Sequence, residues 1–550
     1  MQNAAILFHA DAYDTTTSRL LGRHSAAESF LRGFMRHAEI DELVLWNAAN
    51  RPLDEVNALL GAIGETRTPV RWLGAADRAG IGATGILNFP APNISEETWR
   101  RRAVGPRSYA ICGITHTTAT ARVMNLVSDL LIAPCEAYDT LICTSNAVRA
   151  SVETQLNGVR DFLTAEYGPR RRPEPQRATI PLGVNTADFT ITPEQRKSWR
   201  DRLDIPADAA VALYVGRFNV REKMNPALMA LALEKSAQAL GRPIYWVNSG
   251  WAEDEQSARL YHEQTRALCP SVTYIHLDGR PAEVRFSIWS VADFFISFSD
   301  NIQETFGLTP VEAMAAGLPC VVTDWDGYKD TVRHGLDGFR VPTTTPGPGG
   351  GRDLAFWFAN EWISFTNYAG AAAQYTAIDY DAAVTAISAL VLDGELRQRM
   401  GAQAKAQARA VFDWSAIIPQ YQALWAEQNA RRLAAAPEAP SPDNPFRPEP
   451  FILFQGYPTR HLSLEDRITA APGLTWPEAA ERLAADIVVY SRLNRPNEAE
   501  VEQIFRWLTE HPGARVRDLV QIFPSNRQPW IQRGVLWLAR YGVIGIAPAG

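Results

Sequence analysis

The stretch Glu304-Thr-Phe-Gly-Leu-Thr-Pro-Val-Glu312-Ala-Met-Ala-Ala-Gly317 follows directly on DFFISF (293–298), and this junction decides the fold. The short apolar run reads as a buried strand. Thr309 is placed as a helix N-cap, Pro310 fits the first helical position, and Gly317 is placed to end a short helix. A strand passing through a glycine-bearing loop into a helix is the repeating unit of open α/β sheets, whose ligands sit beyond the carboxyl ends of the strands. Backbone donors at the helix start, with Gly307 permitting close approach, form a seat for a phosphate. Glu304 before the helix and Glu312 in its first turn are both placed to face one ligand. Thr309-x-x-Glu312 is also a capping box, which gives Glu312 a purely structural alternative. That alternative leaves Glu304 unexplained.

The same alternation of short apolar runs and helix-length segments extends in both directions. Towards the amino end lie AILFHA (4–9), a helix over 26–37, ELVLW (42–46), SYAICGI (108–114), a helical stretch over 118–131, and TLICT (140–144). After IPLGVNTADF and a polar helix-like stretch near 193–203, a second series runs VALYV (211–215), PIYWVN (243–248), VTYIHL (272–277), DFFISF and PCVVTD (319–324). Two such series predict two Rossmann-like α/β domains with parallel sheets facing one cleft. The expected limits are 1–190 for the first and 191–412 for the second, with 413–432 a helix crossing back to the first. A glycine-rich turn and an aromatic stretch (345–376) read as an insertion in the second domain.

A second chemical signal is Gly216-Arg217-Phe218, directly after VALYV, with Lys223 six residues beyond Arg217 and Pro226 opening the next helix. Two cations in a strand-to-helix loop neutralise a diphosphate and stabilise it as it leaves. An exposed, solvated pair is the alternative for these cations taken alone, and their meaning comes from being coupled to the Glu304 loop.

With 550 residues the chain exceeds one ordinary core, and 46% hydrophobic with 21% charged residues describes a globular protein. A formal net charge of -7 supplies no global attraction to nucleic acid or anionic lipid. The five cysteines are scattered and show no metal-ligand or disulfide spacing, so they read as reduced buried thiols. MQNAAILFHAD lacks the basic region of a signal peptide and no apolar run is long enough to span a bilayer, so the expectation is a cytoplasmic enzyme, at most peripheral to the inner face of a membrane.

Past Arg432, AAAPEAPSPDNPFRPEP reads as a linker (433–450) to a separate module, 451–550. EAEVEQIFRWLTEHPG, VRDLVQIF and QPWIQRGVLWLARYGVIGI read as three helices closing on a strand, a winged-helix-like pattern. Six arginines against five acidic residues from Asn497 on lack the basic face of a DNA reader, so a protein partner or self-association is expected and nucleic acid is not. Gly80-x-Gly82-x-x-Gly85 matches a dinucleotide fingerprint but lacks a convincing strand before it and a helix after it. Asp324-Trp-Asp326 has the form of a two-aspartate metal motif, yet it closes a strand of the second series, and no metal dependence follows.

Taken together, 304–312 with the following AMAAGLPCVVTD, Gly327, HGLDGFRV, GRF with Lys223, and IPLGVNTADF resemble the retaining GT-B glycosyltransferases. This family, glycosyl transferases group 1, includes glycogen synthase, sucrose synthase and many mannosyl transferases. The resemblance covers roughly residues 4 to 430 and is carried mainly by 178 to 343. It implies an α/β, GT-B fold with an acceptor domain first and a donor domain second, plus the small helical module. It implies a hexosyltransferase that uses a UDP-, GDP- or ADP-sugar and retains anomeric configuration, with neither cofactor nor metal. The acceptor would be a saccharide, a lipid-linked glycan or a protein, in surface polysaccharide assembly.

By the same resemblance Glu304 would sit beside the transferred sugar. The backbone of Phe306, Gly307 and Leu308 would hold sugar and phosphate, Glu312 would bind the ribose, and Gly216, Arg217 and Lys223 would hold the diphosphate. Gly22 in LLGRHSAAESF is similar to the family's glycine loop, although the usual glycine pair is Gly22-Arg23 here. His116 in CGITHTT is similar to the family's active-site histidine, against the alternative of a hydrogen-bonded structural histidine. Ser145 in CTSNAVR resembles a family serine and equally fits an N-cap. Two other functions fit the sequence: a GT-B sugar-nucleotide epimerase, and a non-enzymatic regulator acting through the carboxyl-terminal module.

Overall fold

The computed structural model describes residues 1–13, 22–169, 172–491, 493 and 495–549. The chain divides into two compact units, Met1–Asp443 and Asn444–Gly550. The first contains two parallel sheets. Strands β1 (Ala5–Phe8), β2 (Leu43–Asn47), β3 (Val70–Leu73), β4 (Ile86–Phe89), β5 (Ala110–Ile114), β6 (Thr140–Cys143) and β7 (Gln176–Thr179) stand in the order β3-β2-β1-β4-β5-β6-β7. Strands β8 (Ala210–Arg217), β9 (Ile244–Trp251), β10 (Val272–Asp278), β11 (Phe294–Ser297), β12 (Cys320–Thr323) and β13 (Gly338–Val341) form the second, ordered β10-β9-β8-β11-β12-β13. In each sheet the strand order reverses beside its first strand, between β1 and β4 and between β8 and β11, which is the switch point where α/β sheets open a ligand crevice.

Both faces of the second sheet are covered, and its central strands are therefore apolar on both sides. Val211, Leu213 and Phe295 point into one core with Val311 and Met314 of the helix Leu308–Ala315. Ala212, Tyr214, Phe294 and Ile296 point into the other with Met229 and Leu233 of the helix Ala227–Leu240. The two helices that follow the Arg217 and Glu304 loops thus leave the sheet on opposite faces.

The chain passes between the sheets twice, at 180–190 and at 412–414. The passages are tied together by Asp413, whose carboxylate accepts from the Thr186 amide (3.1 Å) and hydroxyl (2.6 Å) and also caps the following helix through the Ser415 amide. That helix, Trp414–Ala434, buries Trp414, Tyr421 and Trp425 against Phe30 and Phe34 under the first sheet. Gln428 donates to the carbonyls of Ile111 (3.1 Å) and Tyr138 (3.0 Å). The chain's second half therefore ends inside the core of its first domain, the GT-B arrangement that the resemblance implies. No described helix is long and apolar enough to cross a membrane.

The segment read as an insertion is a helical pair, Arg352–Ala359 and Phe365–Ala373, closed by an antiparallel ribbon of β14 (Thr343–Thr344) and β15 (Ala377–Ile378). It leans on the loop after β8: Arg221 donates to Asn367 (3.4 Å) and Thr366 hydrogen-bonds Glu222.

In the second unit, β16 (Arg467–Ala470), β17 (Ala514–Arg515) and β18 (Ile544–Ala547) form an antiparallel sheet. It packs with helices Trp476–Ala484, Glu498–Glu510, Val516–Val520 and Gln528–Arg540 around Ile468, Ile504, Leu508, Leu519 and Val535. The sequence expectation of three helices and one strand omits Trp476–Ala484 and two strands. Strands of two to four residues with arginine in them carry no apolar period to read.

Candidate functional site

The site is built where β8 and β11 part. β8 ends at Arg217, and its loop runs through Lys223 to the helix opened by Pro226. β11 ends at Ser297, and its loop carries Glu304 to the helix Leu308–Ala315. The two loops meet in an ion pair: the Lys223 ammonium donates to a Glu304 carboxylate oxygen, with both side chains largely buried. Burial pushes the Glu304 carboxyl up. The Lys223 charge and hydrogen bond, with the amides of Thr305 and Phe306, outweigh it and hold the group below the ordinary glutamate value. Arg217 lies 3.8 Å from Glu222 and 3.9 Å from Glu253. Tyr214 feels both Glu304 and Arg217, and its hydroxyl donates to the Arg217 carbonyl at 3.2 Å.

The helix start corrects the sequence reading. Gly307, not Thr309, is the N-cap, with φ +85°, and the helix begins at Leu308. Thr309 and Pro310 lie inside the first turn, the Thr309-x-x-Glu312 capping box does not form, and Glu312 lies one residue past that turn. The reason is local: glycine adopts the left-handed backbone without penalty and so starts the helix two residues early. Gly307 is doubly required, because a Cβ there would stand 2.1 Å from a Tyr328 ring carbon. Glu312 lacks the cap interaction, and burial pushes its carboxyl up to about 7 against the opposing charges of Arg285 and Lys223. Lys223 therefore acts on both glutamates, which sets Glu304, Glu312 and the helix start about one charged junction of the two loops.

Residues to which the sequence reading gave no role at the site support this junction. Tyr328 is fully buried behind Gly307, its hydroxyl 3.0 Å from that of Ser297. Gly327 lies on the Glu304 loop so closely that a Cβ would stand 2.4 Å from the Phe306 Cα. From the first domain, the Thr144 hydroxyl donates to the Thr305 carbonyl (3.4 Å), and Asn146 donates from its amide (2.6 Å) and side chain (3.2 Å) to Asp330. These contacts close the far side of the cleft. The DG dipeptide at Asp326-Gly327 signals a turn, but nothing in the sequence tells that it rests on Phe306.

In the first domain His116 follows β5, and its Nε2 lies 3.0 Å from the Pro90 carbonyl. The pairing of Ile114 with Ile142 runs β5 and β6 side by side, so His116 leaves the same sheet edge as Thr144. Ser145 is the N-cap of the helix Asn146–Tyr167, accepting from the Val148 amide at 3.2 Å. Gly22 is the first residue of the helix Gly22–His37, and the neighbouring residues 14–21 lie outside the described ones. The Gly80/Gly82 pair sits inside the helix Arg78–Thr84 with Gly85 as its C-cap, so these glycines form no open phosphate loop. Asp324 directly follows β12, as read, and Arg340 lies 3.3 Å from its carboxylate.

Residues 195–347 match the family model described as Glycosyl transferases group 1, and this stretch holds Arg217, Lys223, Glu304 and Glu312. The chain is 28% identical over 211 residues to the D-inositol 3-phosphate glycosyltransferase of Thermobispora bispora, covering 36% of this chain and 48% of that one. It is 23% identical over 293 residues to an uncharacterized glycosyltransferase of Methanocaldococcus jannaschii, covering 52% and 70%. The match thus spans about half the length of the first of these relatives. Among solved structures, sucrose-phosphate synthase from Thermosynechococcus elongatus aligns at 17% identity with a TM-score of 0.48, covering 78% of this chain and all of that one. Anabaena HepE in complex with UDP and glucose aligns at 15% identity with a TM-score of 0.47, covering 77% and 99%.

Proposed function

We propose that this chain, which carries a glycosyl transferases group 1 domain, moves a hexose from a nucleoside diphosphate sugar to a hydroxyl of a glycan, lipid-linked or protein acceptor in surface glycan assembly. The observation that supports this best is the meeting of two strand-to-helix loops through Lys223 and Glu304, with the amide-rich start of Leu308–Ala315 and the desolvated Glu312 about the same junction. A diphosphate is the ligand that uses a cation pair and a helix N-terminus together.

In this reading Arg217 and Lys223 take the diphosphate, and the amides of Phe306 to Leu308 complete its seat. Lys223 exchanges its bond to Glu304 for the phosphate, and Arg217 gives up its loose contacts with Glu222 and Glu253. Glu304, freed from Lys223, accepts hydrogen bonds from hydroxyls of the sugar. Glu312 accepts from the ribose diol. Gly216 keeps the strand end low beneath the phosphates, and Gly22 and His116 approach from the first domain.

The bond between the anomeric carbon and the diphosphate oxygen breaks with its electron pair going to the phosphate. The acceptor oxygen forms the new bond on the same face, and its proton passes to the departing phosphate oxygen, so configuration is retained. Fixed cations and amide dipoles stabilise the charge that develops on the leaving group, with no cofactor or metal assigned to the step.

Thermal denaturation with UDP-, GDP- and ADP-sugars identifies the donor by the shift it causes. With that donor, Glu304→Gln is expected to abolish transfer to acceptor while the chain still unfolds cooperatively and still binds the free nucleoside diphosphate. Stabilisation by no nucleoside diphosphate or nucleotide sugar would overturn the reading. So would conversion of the donor into another sugar nucleotide without acceptor.

A further inference from the structure

A third carboxyl stands in the turn that rests on the Glu304 loop. Asp326 follows β12 by three residues and stands at φ +43°, in the left-handed region that aspartate tolerates better than most residues. This backbone reversal lays Gly327 on Phe306 and Tyr328 behind Gly307, so the turn is part of the wall of the Glu304 loop. It is also fixed from the first domain through Asp330, which accepts both bonds from Asn146. Within this doubly anchored turn the Asp326 Oδ2 is buried and has no hydrogen-bond partner. Buried carboxyl oxygens are nearly always satisfied, so an orphan in a turn held from both sides calls for a partner.

Glu304 links Asp326 to the rest of the junction: Lys223 bonds it on one side, and its charge bears on Asp326. Burial first and Glu304 second push the Asp326 carboxyl up to about 8, with Asp330 adding and the Gly327 amide and Lys329 opposing. At neutral pH the carboxyl is therefore protonated and able to donate as well as accept. Glu304, ionised, only accepts.

Resting on the donor reading above, we propose that Asp326 hydrogen-bonds a hydroxyl of the transferred sugar and, together with Glu304, selects neutral hexosyl donors over uronosyl donors. A uronate would bring its charge against Glu304 and against a carboxyl that ionises in answer to no cation of its own. A neutral hydroxyl meets one donor and two acceptors.

The test uses the full chain and the base identified by thermal shift. Kinetics are measured with the neutral hexose and the corresponding uronic acid on the same nucleoside diphosphate, and the free nucleoside diphosphate is titrated as a control. Asp326→Gly removes the carboxyl while keeping the left-handed backbone, and Asp326→Asn keeps a donor and an acceptor. Asp326→Gly is expected to raise the KM for the neutral donor about tenfold, the factor that one hydrogen bond carries. Asp326→Asn is expected to raise it about threefold, and both bind the free diphosphate as wild type does. Wild type is expected to favour the neutral donor over the uronosyl one by at least about a hundredfold. An unchanged KM in Asp326→Gly with diphosphate binding intact, or equal use of both donors by wild type, overturns this inference alone. Failure of wild type to bind any nucleoside diphosphate overturns the donor reading and this inference with it.

Discussion

Replacing Lys223 by methionine removes the charge that joins the two loops while keeping the aliphatic stem, and its cost can be worked from the pair's surroundings. The Lys223 and Glu304 side chains are 23% and 12% exposed. Stranding one partner of a fully buried pair costs about 3–5 kcal/mol, whereas a surface pair is worth about 0–1 kcal/mol. An intermediate cost of about 2 kcal/mol at pH 7 is expected. Because Lys223 holds the Glu304 carboxyl below its ordinary value, the stabilisation is present above the unfolded-chain value and is lost as pH falls through the folded one. In Lys223→Met burial acts against the two amides alone, so Glu304 takes up a proton at higher pH. The deficit is therefore largest near neutrality and shrinks below about pH 4.

The same substitution weakens nucleoside diphosphate binding by less than a phosphate contact's full worth, because Lys223 must first leave Glu304. A charge-assisted bond of about 1.5–3 kcal/mol, reduced by roughly 1 kcal/mol for the lost partner, leaves about 2- to 30-fold in Kd. Urea denaturation of Lys223→Met, Glu304→Gln and the double variant at pH 7.5 gives the coupling, expected at about 1–2 kcal/mol, and calorimetric titration gives the affinity. Additive stabilities together with an affinity within about twofold of wild type would refute the reasoning, since the two loops would then share neither a pair nor a ligand.

Gly307→Ala places a Cβ 2.1 Å from Tyr328 and forces an L residue to φ +85°, so a loss of more than about 2 kcal/mol in urea and loss of diphosphate binding are expected. Glu312 prefers its proton in the folded state, with a value near 7, so stability falls as pH rises from the glutamate range to 7; melting between pH 5 and pH 8 should lose this decline in Glu312→Gln. Asp413→Ala removes the cap of Trp414–Ala434 and both bonds from Thr186, for about 2 kcal/mol at pH 7. The Asp413 carboxyl is held low, so this deficit should shrink in denaturation series taken at falling pH.

Legibility in the sequence followed burial. β8, β9, β11, β12, β2, β5 and β6 are readable because parallel strands covered on both faces are largely apolar runs, and the edge strand β10 is readable by its alternation of buried and exposed residues. The polar edge strand β7, QRAT, has no such run, and β4 hides its four residues between a glycine-rich helix and PAPN. Chemistry followed the same division. Lys223, Glu304 and Glu312 are legible as charged residues in strand-to-helix loops. The Thr309 cap was misread because Gly307 offers the backbone a conformation that side-chain capping rules do not weigh. Asp326 is legible only as part of a metal-like spacing, because its place in the wall depends on Gly327 meeting Phe306, a contact between the loops that follow the neighbouring strands β11 and β12.

That contact belongs to a wider consequence of topology. β8 is followed in sequence by β9 on one side but is paired on its other side with β11, more than seventy residues later. The loops of Lys223 and Glu304 begin at neighbouring strand ends, yet their helices pack into opposite cores, so the backbone opens between them and only side chains span the gap. A crevice made this way is lined by the residues that left the strands first, whatever their function. Its far wall comes from the first domain, through Thr144 and Asn146, and the two inter-sheet passages are tied to each other at Asp413. The two domains are thus joined at two levels, at the inter-sheet passages through Asp413 and at the Glu304 side of the cleft through Asn146 and Asp330.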